Sequence, residues 1–538
     1  MATTLRAPPG ASRRSARPRV RRPAEVLDLP LPLGAGGTQS ARVHAALRDA
    51  ILRGRLAAGL RLPSSRALAA QLGLRRNAVV LAYEHLLSDG LAEARTGAGT
   101  FVAALLPQPP EPAATARAAT ACTGNRTAPP QPRAVPGRAA PAGPHAATDL
   151  IVGRAATPEP PGPANPGPFA LGHTSPDPLI LAQFGRLLRA QLLRADPMHF
   201  GYGDPRGSES LRAAVAEHLA VTRGIRCDAA QVMLTSGTQQ GLRLVAETLL
   251  RPGDTAWIED PGYPTAWRVL RAVGASLVPV PVDGAGLVVE AGLASAPKAR
   301  LAYVTPSHQF PTGVTMTMAR RAALLDWARE HDAWVVEDDY DSEFRYAGPP
   351  LTALAGLGGA ERVIYLGTFS KTLFPGLRVG YAVLPPALLH PVMAARAVAD
   401  RFPSTLLGEA LAELMRSGAF SAHLRRMRNR YRAARDLLAA LLDAGSGGRL
   451  RVVVPDQGLH LLAMLPPDWP PGAGAAILAA AGMEARLLSE SRLTPGAQDG
   501  FVLGFSGQPV PVLRNAAEQL AASVRRFVPG AGGPPDGG

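Results

Sequence analysis

A segment near the first third of the chain has no pattern that could build a core, and it divides the sequence into two folding units. Residues 105–166 are dominated by Ala, Pro, Gly and Thr, with runs such as PQPPEPAATARAATA and no apolar periodicity. This composition is typical of a disordered linker with stiffer Pro-rich pieces. The 538-residue chain is therefore predicted to hold a small domain over 39–104 and a large domain over 167–529.

The two chain ends lack a core-forming pattern as well. Residues 1–22 carry seven arginines and no acid, which favours a disordered basic arm over 1–38 and leaves a transit peptide as the alternative. The Gly-rich residues 530–538 predict a disordered tail. Two distant cysteines, Cys122 and Cys227, and the lack of a long apolar stretch predict a cytoplasmic protein without disulfides, a zinc site or a membrane span.

Positive charge is concentrated at the N-terminal end. Residues 1–105 hold sixteen arginines against six acidic residues, and this excess makes up most of the formal net charge of +15. A local field of this kind is expected where a protein meets phosphate groups, as in nucleic acids.

The sequence of the small domain predicts three helices followed by a hairpin. Apolar spacing predicts helices over Gln39–Leu56, Ser65–Leu72 and about Arg75–Ser88, with a turn at Gly73 between the last two. The following sequence LAEARTGAGTFVA predicts two short strands around residues 96–99. This is the α+β pattern of a winged helix-turn-helix, although the helices alone would also suit a small bundle with no role on DNA.

A stretch of this domain carries a specific resemblance. The sequence GLRLPSSRALAAQLGLRRNAVVLAYEHLLSDGLAEARTGAGTFVA resembles the GntR-type winged helix over nearly its whole length. The resemblance implies binding to double-stranded DNA, with contacts from Arg66 and Arg76. Arg75 stands where that family commonly has Ser, so a target sequence does not carry over. Four further residues are candidates for DNA contact because of where they lie. Arg75 and Asn77 lie at a helix start, and Gly97 and Gly99 lie in the wing, the hairpin around residues 96–99.

The large domain alternates short apolar runs with amphipathic helices. Runs such as QVMLTSG, TAWIED, RLAYVTP, AWVVEDD and RVIYLGT alternate with Ala/Leu/Arg-rich segments. This alternation predicts an α/β domain with a mostly parallel sheet covered by helices on both faces.

One lysine of this domain occupies a position that is typical of a reactive side chain in a binding or active site. The chain has 57 basic residues, and only Lys298 and Lys371 are lysines. Lys371 lies in GTFSKTLFPGLRVGY, directly after an apolar strand, where α/β folds build their sites. An amine can form a Schiff base and a guanidinium cannot, so this lysine is less readily explained as an ordinary surface residue.

Other strand ends supply the partners of one particular cofactor. Thr238 and Gln239 open a helix after a strand, and Ser370 and Arg378 flank the lysine, so these four suit a phosphate. Within EDDYDSEFRY, Asp338 suits a protonated pyridine nitrogen and Tyr340 a phenolic oxygen. A divalent-metal site at these clustered acids is the less favoured alternative, because no second acidic cluster completes it. Together these groups predict pyridoxal 5′-phosphate (PLP) bound to Lys371 and no metal.

The motifs SPDPLI, YGDPRG, SGTQQGL, EDPGYP, TPSHQFPTG, EDDYDSEFRY and GTFSKTLFPGLRVGY resemble those of fold-type I PLP enzymes. The sequences of these motifs are similar to those of the MocR subfamily of GntR-type regulators. In that subfamily a winged helix is fused by a linker to an aminotransferase-like domain. The resemblance spans almost the whole chain and implies a homodimer. Three further residues become cofactor candidates. Tyr263 either stacks on the ring or packs in its turn, Tyr202 reaches a phosphate across a dimer interface, and His308 either serves the phenol or simply packs.

Two positions depart from the enzymes. Phe310 stands where aminotransferases commonly have Asn before the Pro-Thr-Gly turn, and Val502 stands where many have the arginine that binds a substrate carboxylate. Valine cannot bind a carboxylate, which argues against efficient transamination of an ordinary amino acid unless another arginine reaches the site. We therefore expect a PLP-responsive transcriptional regulator, with PLP as a Schiff base on Lys371 acting alone or with an amino compound. A catalytically active aminotransferase with a fused DNA-binding domain is the main alternative. A GntR-type repressor that has lost PLP is a weaker one, because every cofactor position is filled.

Overall fold

The computed structural model describes residues 39–52, 55–57, 59–88, 91–95, 99–103, 167–175, 177–194, 200–348, 350–496 and 498–529. The predicted arm (1–38), linker (105–166) and tail (530–538) lie wholly outside the described residues. The described residues separate into two compact units, the first within 39–103 and the second from residue 167 onward.

The first unit is the winged helix-turn-helix that the sequence predicts. It contains helices α1 (Gln39–Leu52), α2 (Ser65–Leu72) and α3 (Arg76–Ser88), followed by strands β1 (Ala92–Arg95) and β2 (Gly99–Val102). The strands pair antiparallel. The first helix is shorter than predicted, since Leu56 lies beyond its end although its side chain is buried.

Side-chain chemistry explains the ends of α2. The hydroxyl of Ser64 accepts a hydrogen bond from the amide of Ala67, which satisfies one of the free donors at the helix start. Gly73 ends the helix with a φ of 65°, a left-handed conformation that costs glycine little. Each end of α2 is therefore set by one residue, and Gly73 opens the turn that leads to α3. The buried core of the unit includes Val43, Leu47, Leu68, Val79 and Leu86.

The second unit is built around a mixed sheet with the order β3-β10-β9-β8-β7-β4-β5-β6. Its strands are β3 (Val232–Thr235), β4 (Thr255–Asp260), β5 (Ser276–Asp283), β6 (Gly286–Leu287), β7 (Leu301–Val304), β8 (Trp334–Asp339), β9 (Val363–Thr368) and β10 (Gly380–Val383). The five strands β5, β4, β7, β8 and β9 run parallel. Strand β10 runs antiparallel to both β9 and β3.

Both faces of this sheet are buried, as predicted. Val335 and Val336 are successive residues of β8, and they belong to different apolar clusters. Side chains alternate between the faces of a strand, so the two clusters lie on opposite faces. Trp327 packs in one cluster and Trp267 in the other.

A second sheet, which the alternating pattern did not predict, has the order β11-β12-β14-β13. Its strands are β11 (Arg451–Val453), β12 (His460–Met464), β13 (Arg486–Leu487) and β14 (Gly500–Gly504). The helices of the second unit are α4 (Pro178–Leu193), α5 (Glu209–Thr222), α6 (Thr238–Leu249), α7 (Pro264–Ala272), α8 (Val289–Ser295), α9 (Met318–Glu330), α10 (Pro386–Ala399), α11 (Thr405–Arg416), α12 (Ala419–Gly445), α13 (Ala473–Ala481) and α14 (Val510–Arg526). Among the described helices, none combines the length and the apolarity needed to cross a bilayer.

Candidate functional site

A cavity of about 390 Å³ lies in the second unit, within the usual size range of small-molecule sites. Residues that end or follow β3, β4, β7, β8 and β9 line it, so it occupies the strand edge where open α/β sheets bind ligands. The lining residues are Leu171, Gly172, Gly237, Thr238, Gln239, Tyr263, Thr265, Tyr303, Thr305, Phe310, Asp338, Tyr340, Thr368, Ser370, Lys371, Pro375, Arg378, Leu459, His460 and Arg486.

Lys371 projects into this cavity from the loop after β9. Its Nζ donates a hydrogen bond to the carbonyl oxygen of Gly172 at 3.0 Å. Burial lowers the pKa of Lys371 below its ordinary value, and the carboxylates of Asp341 and Asp338 oppose that shift. A lysine amine with a lowered pKa is more often neutral, and the neutral form is the nucleophile.

One end of the cavity is rich in free donors. Helix α6 begins after Gly237 without a side-chain cap, which leaves amides of its first turn open to an anion. The guanidinium of Arg378 lies beside Gly237, since a Cβ added there would be 3.5 Å from one of its nitrogens. The hydroxyl of Ser370 lies on the same cavity. This donor set suits a phosphate dianion.

Asp338 provides the acceptor at the end of β8. Its Oδ2 accepts a hydrogen bond from the hydroxyl of Tyr303 at 2.6 Å, while its Oδ1 is buried and lacks a hydrogen-bond partner among the described residues. Burial raises the pKa of Asp338 to about 7, although the Tyr303 hydrogen bond opposes the rise. A buried acceptor without a donor is costly, so this oxygen suits a ligand that brings an N–H group.

The neighbouring acids have protein partners of their own. Glu337 accepts hydrogen bonds from the amides of Leu354 and Ala355. Asp339 pairs with Arg223 at 2.8 Å. Asp338 projects to the opposite side of β8 from Glu337 and Asp339, and those two are held by protein partners, so the three carboxylates do not converge on one ion as the metal alternative requires.

His308 lies behind one of the residues that line the cavity. It does not line the cavity. Its Nδ1 lies 3.0 Å from Oδ2 of the buried Asp341, and its carbonyl oxygen accepts a hydrogen bond from the hydroxyl of Tyr340 at 3.0 Å. Tyr340 does line the cavity, so His308 lies behind it. The buried Asp341–His308 pair explains this position, because each side chain needs the other once both leave water.

The two remaining aromatic candidates differ in location. Tyr263 lines the cavity, and its ring meets the ring of Phe310 edge to face at 5.5 Å between centroids. Tyr202 does not line the cavity of its own chain. It is 78% exposed, and the guanidinium carbon of Arg401 lies 4.6 Å from its ring centroid.

Several lining residues were not singled out from the sequence. Gly172 precedes the first strand of the domain by sixty residues and has a φ of 73°. His460 and Arg486 belong to the second sheet. Local pattern carries little signal for such residues, since β13 is only two residues long and too short to show periodicity.

In the first unit, three of the six candidate DNA-contact residues lie together at one helix start. Arg75, Arg76 and Asn77 are all exposed at the beginning of α3, and Arg66 is exposed in the first turn of α2. The Nε of Arg76 donates to the hydroxyl of Ser65 at 3.4 Å, which links the two helices. Gly99 begins β2 next to the side chain of Arg61. Gly97 lies outside the described residues.

Comparison with known proteins identifies both units. Residues 39–102 match the family "Bacterial regulatory proteins, gntR family", and residues 181–493 match "Aminotransferase class I and II". The chain is 35% identical to the probable rhizopine catabolism regulatory protein MocR of Rhizobium meliloti, over 90% of this chain and 93% of that protein.

The chain belongs to the MocR-type GntR regulators. It is also 31% identical to the pyridoxine biosynthesis transcriptional regulator PdxR of Corynebacterium glutamicum, over 93% of this chain and 99% of that protein. This MocR-type chain is therefore a transcriptional regulator with a DNA-binding winged helix and an aminotransferase-like domain, and the resemblance noted in the sequence is confirmed.

A solved structure supports the fold assignment of the second unit. The α-aminoadipate aminotransferase LysN of Thermus thermophilus, solved with N-(5′-phosphopyridoxyl)-L-leucine, superposes with a TM-score of 0.59 at 28% identity. The match covers 66% of this chain and 92% of that one. The fold-type I relatives are PLP-dependent. The uncapped start of α6, the guanidinium of Arg378 and the unpaired Oδ1 of Asp338 are the groups that a phosphorylated pyridine ligand would satisfy, so the residues present fit PLP.

Proposed function

We propose that this regulator binds PLP covalently through Lys371 and uses it, alone or with an amino compound, as the signal that controls DNA binding. The observation that carries the proposal is Oδ1 of Asp338, a buried acceptor that finds no donor in the described part of the chain and shares its cavity with Lys371 and the open start of α6. PLP supplies an aldehyde that reacts with amines and a ring that withdraws electrons.

The chain's own residues then have distinct roles. Thr238, Gln239, Ser370 and Arg378 bind the phosphate, and Asp338 keeps the ring nitrogen protonated. Tyr340 donates to the phenolic oxygen, and Tyr263 packs on the ring. His308 acts through Tyr340 by holding its hydroxyl and is therefore a positioning residue.

We further propose that the regulator acts as a homodimer. Tyr202 is a large exposed ring that does not reach the cavity of its own chain. In a dimer it would reach the phosphate end of the partner subunit's cavity. Two winged helices in one dimer would read two half-sites, with contacts from Arg66, Arg75, Arg76, Asn77 and the wing glycines Gly97 and Gly99.

Regulation requires that the ligand favour one arrangement of the dimer over another. A ligand that binds both arrangements equally does not shift the equilibrium between them. We propose that filling the cavity biases the packing of the large domains, which repositions the winged helices on DNA.

The covalent assignment is tested on the purified full-length chain. Borohydride reduction in the presence of PLP, followed by peptide mass mapping, is expected to mark Lys371 in the wild type. Lys298→Ala is the matched control, because Lys298 is the other lysine of the chain and is exposed. We expect Lys298→Ala to keep the adduct and Lys371→Ala to lose it. A Lys371→Ala protein with an undiminished adduct would contradict the assignment.

The regulatory part needs a DNA readout. Footprinting of the DNA upstream of the chain's own gene is expected to change between PLP-free and PLP-loaded wild type. The same comparison with Lys371→Ala is expected to show no change. A footprint that never responds to PLP, combined with steady turnover of amino and keto acids, would favour the aminotransferase alternative.

A further inference from the structure

The first residues of the second unit form a short segment that contacts Lys371. These are residues 167–175, named the strap below, and they follow directly on the linker predicted over 105–166. Leu171 and Gly172 of the strap line the cavity. The carbonyl oxygen of Gly172 accepts the hydrogen bond that Nζ of Lys371 donates at 3.0 Å. The amine that we assign to PLP is therefore bonded to backbone that is close in sequence to the linker.

Hydrogen bonds hold the strap on two sides. On one side, the hydroxyl of Thr174 donates to the carbonyl oxygen of Leu373 at 3.2 Å, on the loop that carries the reactive lysine. On the other side, the hydroxyl of Ser506, just after β14, donates to the carbonyl oxygen of His173 at 2.5 Å. The strap thus lies between the lysine loop and the second sheet, and a change at either side acts on it directly.

Bond formation with an aldehyde changes what Nζ of Lys371 can donate. The neutral amine adds to the aldehyde carbon, the aldehyde oxygen leaves as water with both hydrogens of the amine, and a carbon–nitrogen double bond remains. A proton that this nitrogen takes up afterwards is shared with the phenolic oxygen, which is ortho to the aldehyde in PLP. The partly buried Gly172 then has a carbonyl oxygen without its donor, which favours movement of the strap toward water.

We propose that the strap reports the covalent state of Lys371 to the linker. This inference rests on the proposed function and deepens it, because it names the segment through which a ligand in the cavity acts on the DNA-binding unit. While Lys371 has a free amine, its hydrogen bond to Gly172 holds the strap against the cavity. When Lys371 carries PLP, that bond is lost and the strap is released where the linker joins it.

Hydrogen exchange of the strap separates bond formation from simple filling of the cavity. The full-length protein is loaded either with PLP or with pyridoxine 5′-phosphate, which has the same ring and phosphate but an alcohol in place of the aldehyde. Amide exchange over residues 167–175 is measured by mass spectrometry. We expect about 10-fold faster exchange with PLP, the size of one lost hydrogen bond. The first turn of α6 is the internal control, because phosphate should slow its exchange with either compound.

Two substitutions of the lysine separate its two roles. Lys371→Arg retains a donor for Gly172 but cannot form the bond with PLP, so PLP should leave the exchange of the strap unchanged. Lys371→Ala has neither property, so its strap should exchange as fast without ligand as the strap of the PLP-loaded wild type. Lys298→Arg is the matched control, because Lys298 is the other lysine of the chain and is exposed. We expect that control to behave as wild type.

The effect on DNA is tested at an anchor of the strap that does not line the cavity. Thr174→Val removes the hydrogen bond to Leu373. In the PLP-free variant, we expect the DNA footprint to shift toward that of the PLP-loaded wild type. Thr222→Val is the matched control, because Thr222 also donates its hydroxyl to a carbonyl oxygen, that of His218 in α5 at 2.7 Å. We expect no shift in that control.

The possible outcomes separate this inference from the proposed function. A wild type that forms the PLP adduct but exchanges equally with PLP and with pyridoxine 5′-phosphate overturns the inference and leaves PLP binding intact. A PLP effect that persists in Lys371→Arg also overturns it, since no bond forms there. A Thr174→Val footprint identical to that of the PLP-free wild type overturns the relay to DNA. A wild type without the adduct overturns the proposed function and this inference with it.

Discussion

Asp338 ties the stability of the ligand-free chain to pH. Burial raises its pKa to about 7 from an ordinary value of 3.8. The folded state therefore holds this proton more tightly than the unfolded state, and stability falls as the pH rises through the interval between the two values. A protonated pyridine nitrogen beside the carboxylate would remove this penalty, because it stabilises the charged form.

We expect Asp338→Asn to stabilise the PLP-free chain at alkaline pH and to weaken PLP binding. The difference in unfolding free energy between variant and wild type should grow by about 2 kcal/mol between about pH 5 and about pH 8. Thermal unfolding of both proteins at several pH values measures it. A difference that does not change with pH would show that Asp338 titrates in its ordinary range.

The close approach of Gly172 to Lys371 leads to a prediction about PLP affinity. A Cβ at this position would lie 2.5 Å from Nζ of Lys371, and the residue has a φ of 73°. Gly253 is a matched control, because its φ of 92° is equally unsuited to alanine while nothing lies within 4 Å of an added Cβ. We expect both Gly→Ala variants to lose about 1 kcal/mol of stability, and only Gly172→Ala to lose affinity for PLP by spectroscopic titration. Equal PLP affinity in both would argue against the close approach of this backbone to the lysine.

Strand ends explain why part of the site was predictable. Asp338, Lys371 and Ser370 each follow or end an apolar strand, and the carboxyl ends of parallel strands meet at one edge. Residue type and position therefore sufficed for them. Arg486 escaped prediction because it reaches the cavity from a separate antiparallel sheet, which local pattern does not connect to the first. The position of His308 behind Tyr340 follows from its pairing with Asp341, a partner that burial determines and sequence spacing does not.

The elements of the winged helix were predicted more closely than those of the second sheet. Ser64 and Gly73 are residues whose chemistry ends a helix, so α2 was found with the observed bounds. Helix α1 was predicted too long, because the apolar spacing continues to Leu56 after the helix has ended. That leucine is buried without being helical. A buried position needs an apolar residue whether or not it is helical, so the apolar spacing continues past the end of the helix.

The start of α3 leads to a prediction on DNA binding. Arg76→Gln is expected to weaken binding to duplex DNA and to lower the slope of affinity against salt by about one unit, the value for one lost phosphate contact. Arg55→Gln is the control, because Arg55 is an exposed arginine of the same unit that pairs with Asp49 at 2.6 Å. Gel-shift titrations over a range of salt concentrations measure both. An unchanged slope in Arg76→Gln would remove this residue from the interface.

Under our proposal, the cofactor site is complete only when two chains assemble. One cavity gathers lysine, phosphate donors and ring acceptor from a single chain, but Tyr202 remains outside with its ring exposed. If Tyr202 serves the partner subunit's cavity, then PLP binding and dimer formation are coupled, and each must strengthen the other by the same free energy. Such coupling would let a small ligand act on the spacing of two DNA-binding units.

Mixed dimers test this coupling. Tyr202→Ala and Lys371→Ala are each expected to bind PLP poorly as homodimers. When the two variants are co-expressed with different tags and the mixed dimer is purified, one of its two cavities should combine an intact Lys371 with an intact Tyr202 from the other subunit. We therefore expect about half of the wild-type PLP content per dimer, measured by absorbance after release of the cofactor. If Tyr202 instead served its own chain, each cavity of the mixed dimer would carry one defect, and the PLP content would stay at the level of the homodimeric variants.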